Sequence, residues 1–186
     1  MQAASTGSGR IALRTGIFFG VILGIIEIVL TAIGAFANLG SAAWAVTIIS
    51  WIIGIGAYLW AGIRASSQTG NVSTGLLAGL WTGLFSSIIS AIGSTIFFFI
   101  NRDATRRAIQ AGLNQAQRQG QNAPFTADQL LTYGLIIGIV LSILAAVVIG
   151  LAIGALGGAI GKGRAPVPVQ TYQETMFQAP PPNPYQ

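Results

Sequence analysis

The sequence predicts an all-α integral membrane bundle of four transmembrane helices, arranged as two related helical hairpins, and three observations carry that prediction. Of 186 residues, 53% are hydrophobic and only 7% charged, with a mean hydropathy of +0.71. That is too little charge to solvate a water-exposed surface of this size. Uncharged apolar runs recur at the length a bilayer crossing needs, about 20 helical residues. Finally, GIFFGVILGIIEIVLTAIG (16–34) repeats its plan in GLLAGLWTGLFSSIISAIG (75–93). Gly16, Gly20, Gly24 and Gly34 fall on Gly75, Gly79, Gly83 and Gly93, while Glu27 falls on Ser86 and Thr31 on Ser90.

The composition also removes function classes. The chain has no cysteine and no histidine, so thiolate and imidazole metal ligands and the Ser/His and Cys/His nucleophile pairs are absent. Its carboxylates, Glu27, Asp103, Asp128 and Glu174, are far apart in sequence, against a paired-carboxylate site. A non-enzymatic protein without metal or cofactor is therefore expected. The net charge of +5 is spread thinly, with no basic run longer than Arg106-Arg107. The lipid bilayer, not nucleic acid, is the expected partner of these cations. Arg10 and Arg14 ahead of an apolar run resemble a secretory signal, but the run is too long for one, and an uncleaved first span is expected.

The elements follow in order. Residues 1–13 open with small polar side chains and are read as a flexible N-terminus. From Thr15 to Ile63 the one charged side chain is Glu27, and the stretch divides into spans of about 14–37 and 42–63 at the turn formers Asn38 to Ser41. In the second span Ala43, Thr47, Ser50, Gly54, Ala57 and Ala61 share one helical face, with Trp44, Trp51 and Tyr58 on another. A polar turn over 66–73 leads to a third span, about 74–100, ending in Phe97-Phe98-Phe99. Residues 101–128 are polar, but Ala104, Ala108 and Ala111, with Ile109, Leu113 and Ala116, recur at helical spacing. The third helix continues there, or a separate helix lies at the surface.

Thr126 with Gln129 forms a capping-box pattern that starts the last helix at Ala127. Its uncharged run, Gln129 to Gly161, would be about 50 Å long as a helix, against a hydrocarbon core of about 30 Å. The last span is set at about 129–160. Within it Gly134, Gly138, Ser142, Ala146, Gly150, Gly154 and Gly158 place a small residue at every fourth position. Such rows let helix backbones approach closely, either inside one chain or between subunits. The row drifts around the helix, because four exceeds 3.6 residues per turn. The domain closes at Arg164, and 165–186 form a Pro-rich tail in which Tyr172, Phe177 and Tyr185 are candidate partner anchors.

On the first helix Gly16, Gly20, Gly24, Glu27, Thr31 and Gly34 share one face, so Glu27 lies in a packing seam. The two matched helices are expected to meet along these small faces near the centre of the bundle. A charged acid at mid-membrane costs about 2.5–3.5 kcal/mol even on permissive scales, so Glu27 is neutral, paired or wetted. Three readings stay open: a structural carboxyl bonded to Thr31, Ser86 or Ser90; an ion- or proton-binding group; or a contact with a partner subunit.

Two hairpins, Phe97 to Asn101 leading into a polar helical segment, and the ending GALGGAIGKGR (154–164) together resemble the small four-span bacterial membrane proteins of the domain-of-unknown-function type. The resemblance covers about 14–164 and implies a multi-pass protein of the bacterial inner (cytoplasmic) membrane, with no activity to transfer. Arg10, Arg14, Arg64, Lys162 and Arg164 share one side. Arg102, Arg106, Arg107 and Arg118, partly neutralised by Asp103 and Asp128, take the other, which favours cytoplasmic termini. The leading functional expectation is a non-enzymatic accessory or scaffold subunit that assembles through small-residue seams, as a homo-oligomer or in a larger membrane complex. The alternative is a small oligomeric channel, or a proton- or cation-coupled carrier using Glu27.

Overall fold

A computed structural model describes residues 3–36, 43–120 and 124–165. They form five helices, α1 (Ala3–Phe36), α2 (Ala43–Thr69), α3 (Val72–Ile100), α4 (Arg102–Arg118) and α5 (Ala127–Lys162), and no strand. Four are long and apolar enough to cross a membrane: Gly7–Gly34, Trp44–Thr69, Val72–Ile100 and Ala127–Lys162. The expected link at Asn38 to Ser41 lies outside the described residues.

Two boundaries differ from the sequence expectation. The flexible N-terminus expected over 1–13 is helical from Ala3 onward. Tertiary packing extends the helix: Ala12 is fully buried with Ala65 of α2 and Ala78 of α3, and Thr15 is buried beside it. The polar turn expected over 66–73 contracts to Gly70 and Asn71, because the hydroxyls of Ser67 and Thr69 bond back to the carbonyls of Arg64 and Ala65 and stay compatible with helix. Gly70, at φ +67°, supplies the left-handed residue that ends α2. Its N–H donates to the Ser66 carbonyl at 2.8 Å, and Asn71 Oδ1 then caps α3 by accepting from Ser73 N–H at 3.2 Å.

At the opposite end, α3 stops at Ile100 and Asn101 turns the chain into a separate α4. Asp103 in its first turn and Arg118 in its last suit the helix dipole, and Gly120, at φ +76°, follows its end. Arg106 pairs with Asp128 at 2.9 Å, both well exposed. The pair contributes less than about 1 kcal/mol, but it fixes the start of α4 beside the start of α5. The capping box forms as the pattern predicts: Thr126 Oγ1 accepts from Gln129 N–H at 3.3 Å, and Gln129 Oε1 from Thr126 N–H at 2.9 Å.

One tight seam, α1 with α3, crosses between the two hairpins, and the other, α3 with α5, lies within the second. α1 packs along α3 more extensively than along its chain neighbour α2, α5 packs on both α3 and α2, and no described Cα of α1 comes within 8 Å of one in α5. The two matched helices do meet, but not glycine to glycine. Gly20 and Gly24 of α1 lie against Thr82, Phe85, Ser86 and Ile89. Three of the four glycines of α3 face the other way, so that Gly75, Gly79 and Gly83 meet Gly158, Gly154, Gly150 and Ala146 of α5, while Gly93 lies against Ile28 of α1. α3 is thus sandwiched, its hydroxyl-bearing face towards α1 and its glycine face towards α5. Gly157 and Gly161 of α5 rest on Leu59, Gly62 and Ile63 of α2.

The close packing of α5 is confined to the end holding the α2–α3 turn, whereas α1 and α3 stay together as far as Ile28 and Gly93. At the α4 end Gly34, Gly54, Gly56, Gly134 and Gly138 would have nothing within 4 Å of an added Cβ. Gly34, Gly134 and Gly138 therefore lie outside the packed seams their spacing predicts. The row on α5 has drifted off its neighbours there, and the helices splay.

Candidate functional site

With the backbones of α1 and α5 held apart, the α4 half of the bundle holds a cleft walled by all four spans. Glu27 projects into it, half-buried, from the turn of α1 that follows the glycine seam. Gly24 brings α1 against the Ser86 carbonyl, and Ile28 covers the notch at Gly93. Held between these contacts, the Glu27 carboxyl shares a cavity with the Ser90 hydroxyl. Glu27 is not central to its helix: at 1.5 Å per residue it lies about 10 Å from Gly34.

Two adjoining cavities share the Glu27 side chain. One, of about 280 Å³, is lined by Glu27, Thr31, Ser50, Ser86, Ser87, Ser90, Ser142 and Ala146. The other, of about 260 Å³, runs along Trp51, Gly54 and Tyr58 of α2 and Ala145 and Ile149 of α5. A third, of about 340 Å³, shares Thr31 and Ser50 with the first and continues past Gly34 and Thr47 towards the α4 end. Thr47, Ser50 and Thr31 therefore mark a way from that end to Glu27, with Leu30, Val46 and Trp51 along its walls. Below it Gly75, Gly79, Gly150 and Gly154 close the bundle.

The hydroxyls are oriented by their own helices. Thr31 donates to the Glu27 carbonyl at 2.7 Å, Ser86 to Gly83 at 3.2 Å, Ser87 to Leu84 at 3.0 Å and Ser142 to Ile139 at 2.8 Å. Each proton is engaged in a backbone bond, so the oxygens offer lone pairs to the cavity. Tyr58 Oη lies 3.4 Å from Ser86 Oγ. With the Ser86 proton directed at Gly83, Tyr58 is the donor of this pair. The result is one carboxylate in a shell of oxygen acceptors, the ligand chemistry of hard cations.

The structure brings Glu27, Thr31, Ser86 and Ser90 to one cavity. Gly16, Gly20, Gly24, Gly75, Gly79, Gly83, Gly93, Gly150, Gly154 and Gly158 lie against neighbouring helices. Tyr172, Phe177 and Tyr185 lie outside the described residues. Sequence reasoning missed four polar members of the two cavities, Ser50, Ser87, Ser142 and Tyr58. Ser50 and Ser142 were counted as small packing residues; a hydroxyl among glycines and alanines at the depth of Glu27 was the available signal. Tyr58 was grouped with Trp44 and Trp51, which are 65% and 56% exposed, whereas Tyr58 is 6% exposed. Its hydroxyl, which needs a partner when buried, was the feature separating it from the tryptophans.

Fold and site together define a multi-pass α-helical membrane protein with a polar, carboxylate-bearing cleft between its spans. The chain belongs to the family described as "Protein of unknown function (DUF4199)", whose model matches residues 18–162. No curated protein and no solved structure matches it.

Proposed function

We propose that this is a non-enzymatic membrane carrier that binds a proton or a small monovalent cation at Glu27. The observation that carries this reading is the cavity in which Glu27 meets hydroxyls from the other three spans. A single carboxylate balances a single positive charge; a divalent ion would leave net charge in a low-dielectric cleft. The glycine packing below Glu27 supports a site reached from one side at a time over an open pore, which is the arrangement an alternating-access carrier uses. The cations at the α2–α3 turn end favour an orientation with that end, and both termini, in the cytoplasm.

In proteoliposomes loaded with a pH indicator, wild-type protein is expected to move protons when a sodium or potassium gradient is imposed. Glu27→Gln, nearly isosteric and uncharged, is expected to reduce that flux at least tenfold. Equal flux in wild type and variant would exclude Glu27 from transport.

A second reading, the accessory or scaffold subunit, draws on a different observation. Gly150, Gly154 and Gly158 are occupied inside the chain, while Gly134 and Gly138 are left uncovered on α5. A partner helix can approach closely there, so assembly through small residues is assigned to that upper part of the row.

A further inference from the structure

At the end away from α4, α1 and α2 leave a groove of about 490 Å³ in which Arg14, Arg64 and Gln68 converge, with Phe18 and Phe19 along its flank. Neither guanidinium has an ion pair or hydrogen bond among the described residues. No described carboxylate offers one at this end: Asp103 and Asp128 belong to the α4 end and Glu27 lies deep in the cleft. Arg10, Lys162 and Arg164 add to the same field. Arg14 immediately precedes the apolar run of α1, and Arg64 follows that of α2, so both stand at the depth of lipid headgroups. Phe18, 58% exposed, is one turn further into the bilayer.

We propose that this groove binds the phosphate of an anionic phospholipid. The two guanidiniums clamp the phosphate oxygens, which suit the planar donor fork of arginine. The Gln68 amide donates to the headgroup, and an acyl chain runs along Phe18 and Phe19. The apolar flank favours a lipid over free phosphate. The paired charge favours an anionic headgroup over a zwitterionic one, whose own ammonium group competes for the phosphate. Basic pockets between spans are known headgroup sites of this chemistry.

The test uses the full chain in phosphatidylcholine nanodiscs containing a minor fraction of phosphatidylglycerol, with bound lipid counted by native mass spectrometry. Wild type is expected to retain phosphatidylglycerol selectively. Arg14→Gln with Arg64→Gln is expected to bind it about tenfold more weakly or less. Replacement of both by Lys is expected to retain part of the affinity. The charge-matched pair Arg102→Gln with Arg118→Gln, at the opposite end, is expected to bind as wild type. All three remain helical, because the substituted side chains are exposed. In phosphatidylcholine alone, inorganic phosphate is expected to leave the unfolding temperature unchanged. Undiminished phosphatidylglycerol binding in the Arg14/Arg64 variant, or equal loss in the charge-matched pair, would overturn the site. Equal stabilisation by inorganic phosphate would overturn its assignment to a lipid.

Discussion

Apart from Asp128 at the very start of α5, Glu27 is the one carboxylate within the four apolar spans, and its neighbours decide what it can hold. Ser90 of α3 and Ser142 of α5 line its cavity from two other helices. A neutral hydrogen bond contributes about 0.5–1.5 kcal/mol net, so Ser90→Ala and Ser142→Ala are each expected to weaken cation binding roughly two- to tenfold. Titration of the purified protein with sodium or potassium reads this. The exposed Ser94→Ala, outside the cavity, should bind as wild type, and indistinguishable affinities in all four proteins would argue that the hydroxyls only pack. Glycines divide in the same local way. A Cβ added at Gly154 would lie 2.7 Å from Gly79 Cα, whereas one at Gly138 meets nothing within 4 Å. Gly154→Ala is expected to cost about 1–3 kcal/mol of stability through overpacking. Gly138→Ala should be neutral or stabilise by up to about 1 kcal/mol, because alanine is the better helix former. Thermal unfolding in detergent separates the two.

At the scale of elements, α5 is one helix with two kinds of surface. Its 36 residues make about 54 Å, far beyond the hydrocarbon core, so the part near α4 projects from the bundle. Gly150, Gly154, Gly157, Gly158 and Gly161 are buried, while Tyr133, Ile136, Ile137, Val140, Leu141, Leu144 and Val148 are exposed. Gly154→Leu is therefore expected to unfold or misassemble the monomer. Gly134→Leu with Gly138→Leu should leave the monomer folded and, if partners meet there, abolish detergent-resistant oligomers seen by light scattering. Unchanged assembly in that double variant would remove the upper row as an interface. The elements were legible in sequence because their signals are local: Thr126 and Gln129 announce the start of α5, and the repeated Gly-xxx-Gly spacing marks the small faces of α1 and α3. Which helix each face meets was not legible, because every neighbour in a membrane is apolar and spacing names no partner. So the glycine face of α3 turned to α5 and not to α1. Tyr58 turned inward for a similar reason: its α2 face borders Trp51 towards lipid but meets Ser86 only in the assembled fold.

For the whole molecule, the decisive property is asymmetry along the membrane normal. Backbones nearly touch where α3 and α5 cross at Gly79 and Gly154, and separate towards α4, where Thr31, Ser50 and Thr47 line the way to Glu27. In this conformation an aqueous probe should therefore reach the cleft from the α4 side. The absence of native cysteine makes single-cysteine variants direct reporters. Thr31→Cys and Ser50→Cys are expected to react with a charged, membrane-impermeant thiosulfonate added on the side where Gln110→Cys on α4 also reacts. Ala61→Cys, at a position fully buried in the closed half, is expected to resist labelling from either side. A cation bound at Glu27 should slow labelling at Ser50→Cys, and Glu27→Gln should abolish that protection while leaving the labelling itself in place. Labelling of Ser50→Cys from the side opposite α4 would require the glycine closure to open. Labelling from both sides in turn fits alternating access, whereas unitary channel currents through the wild-type protein in planar bilayers would make it a pore, and the carrier reading would have to be given up.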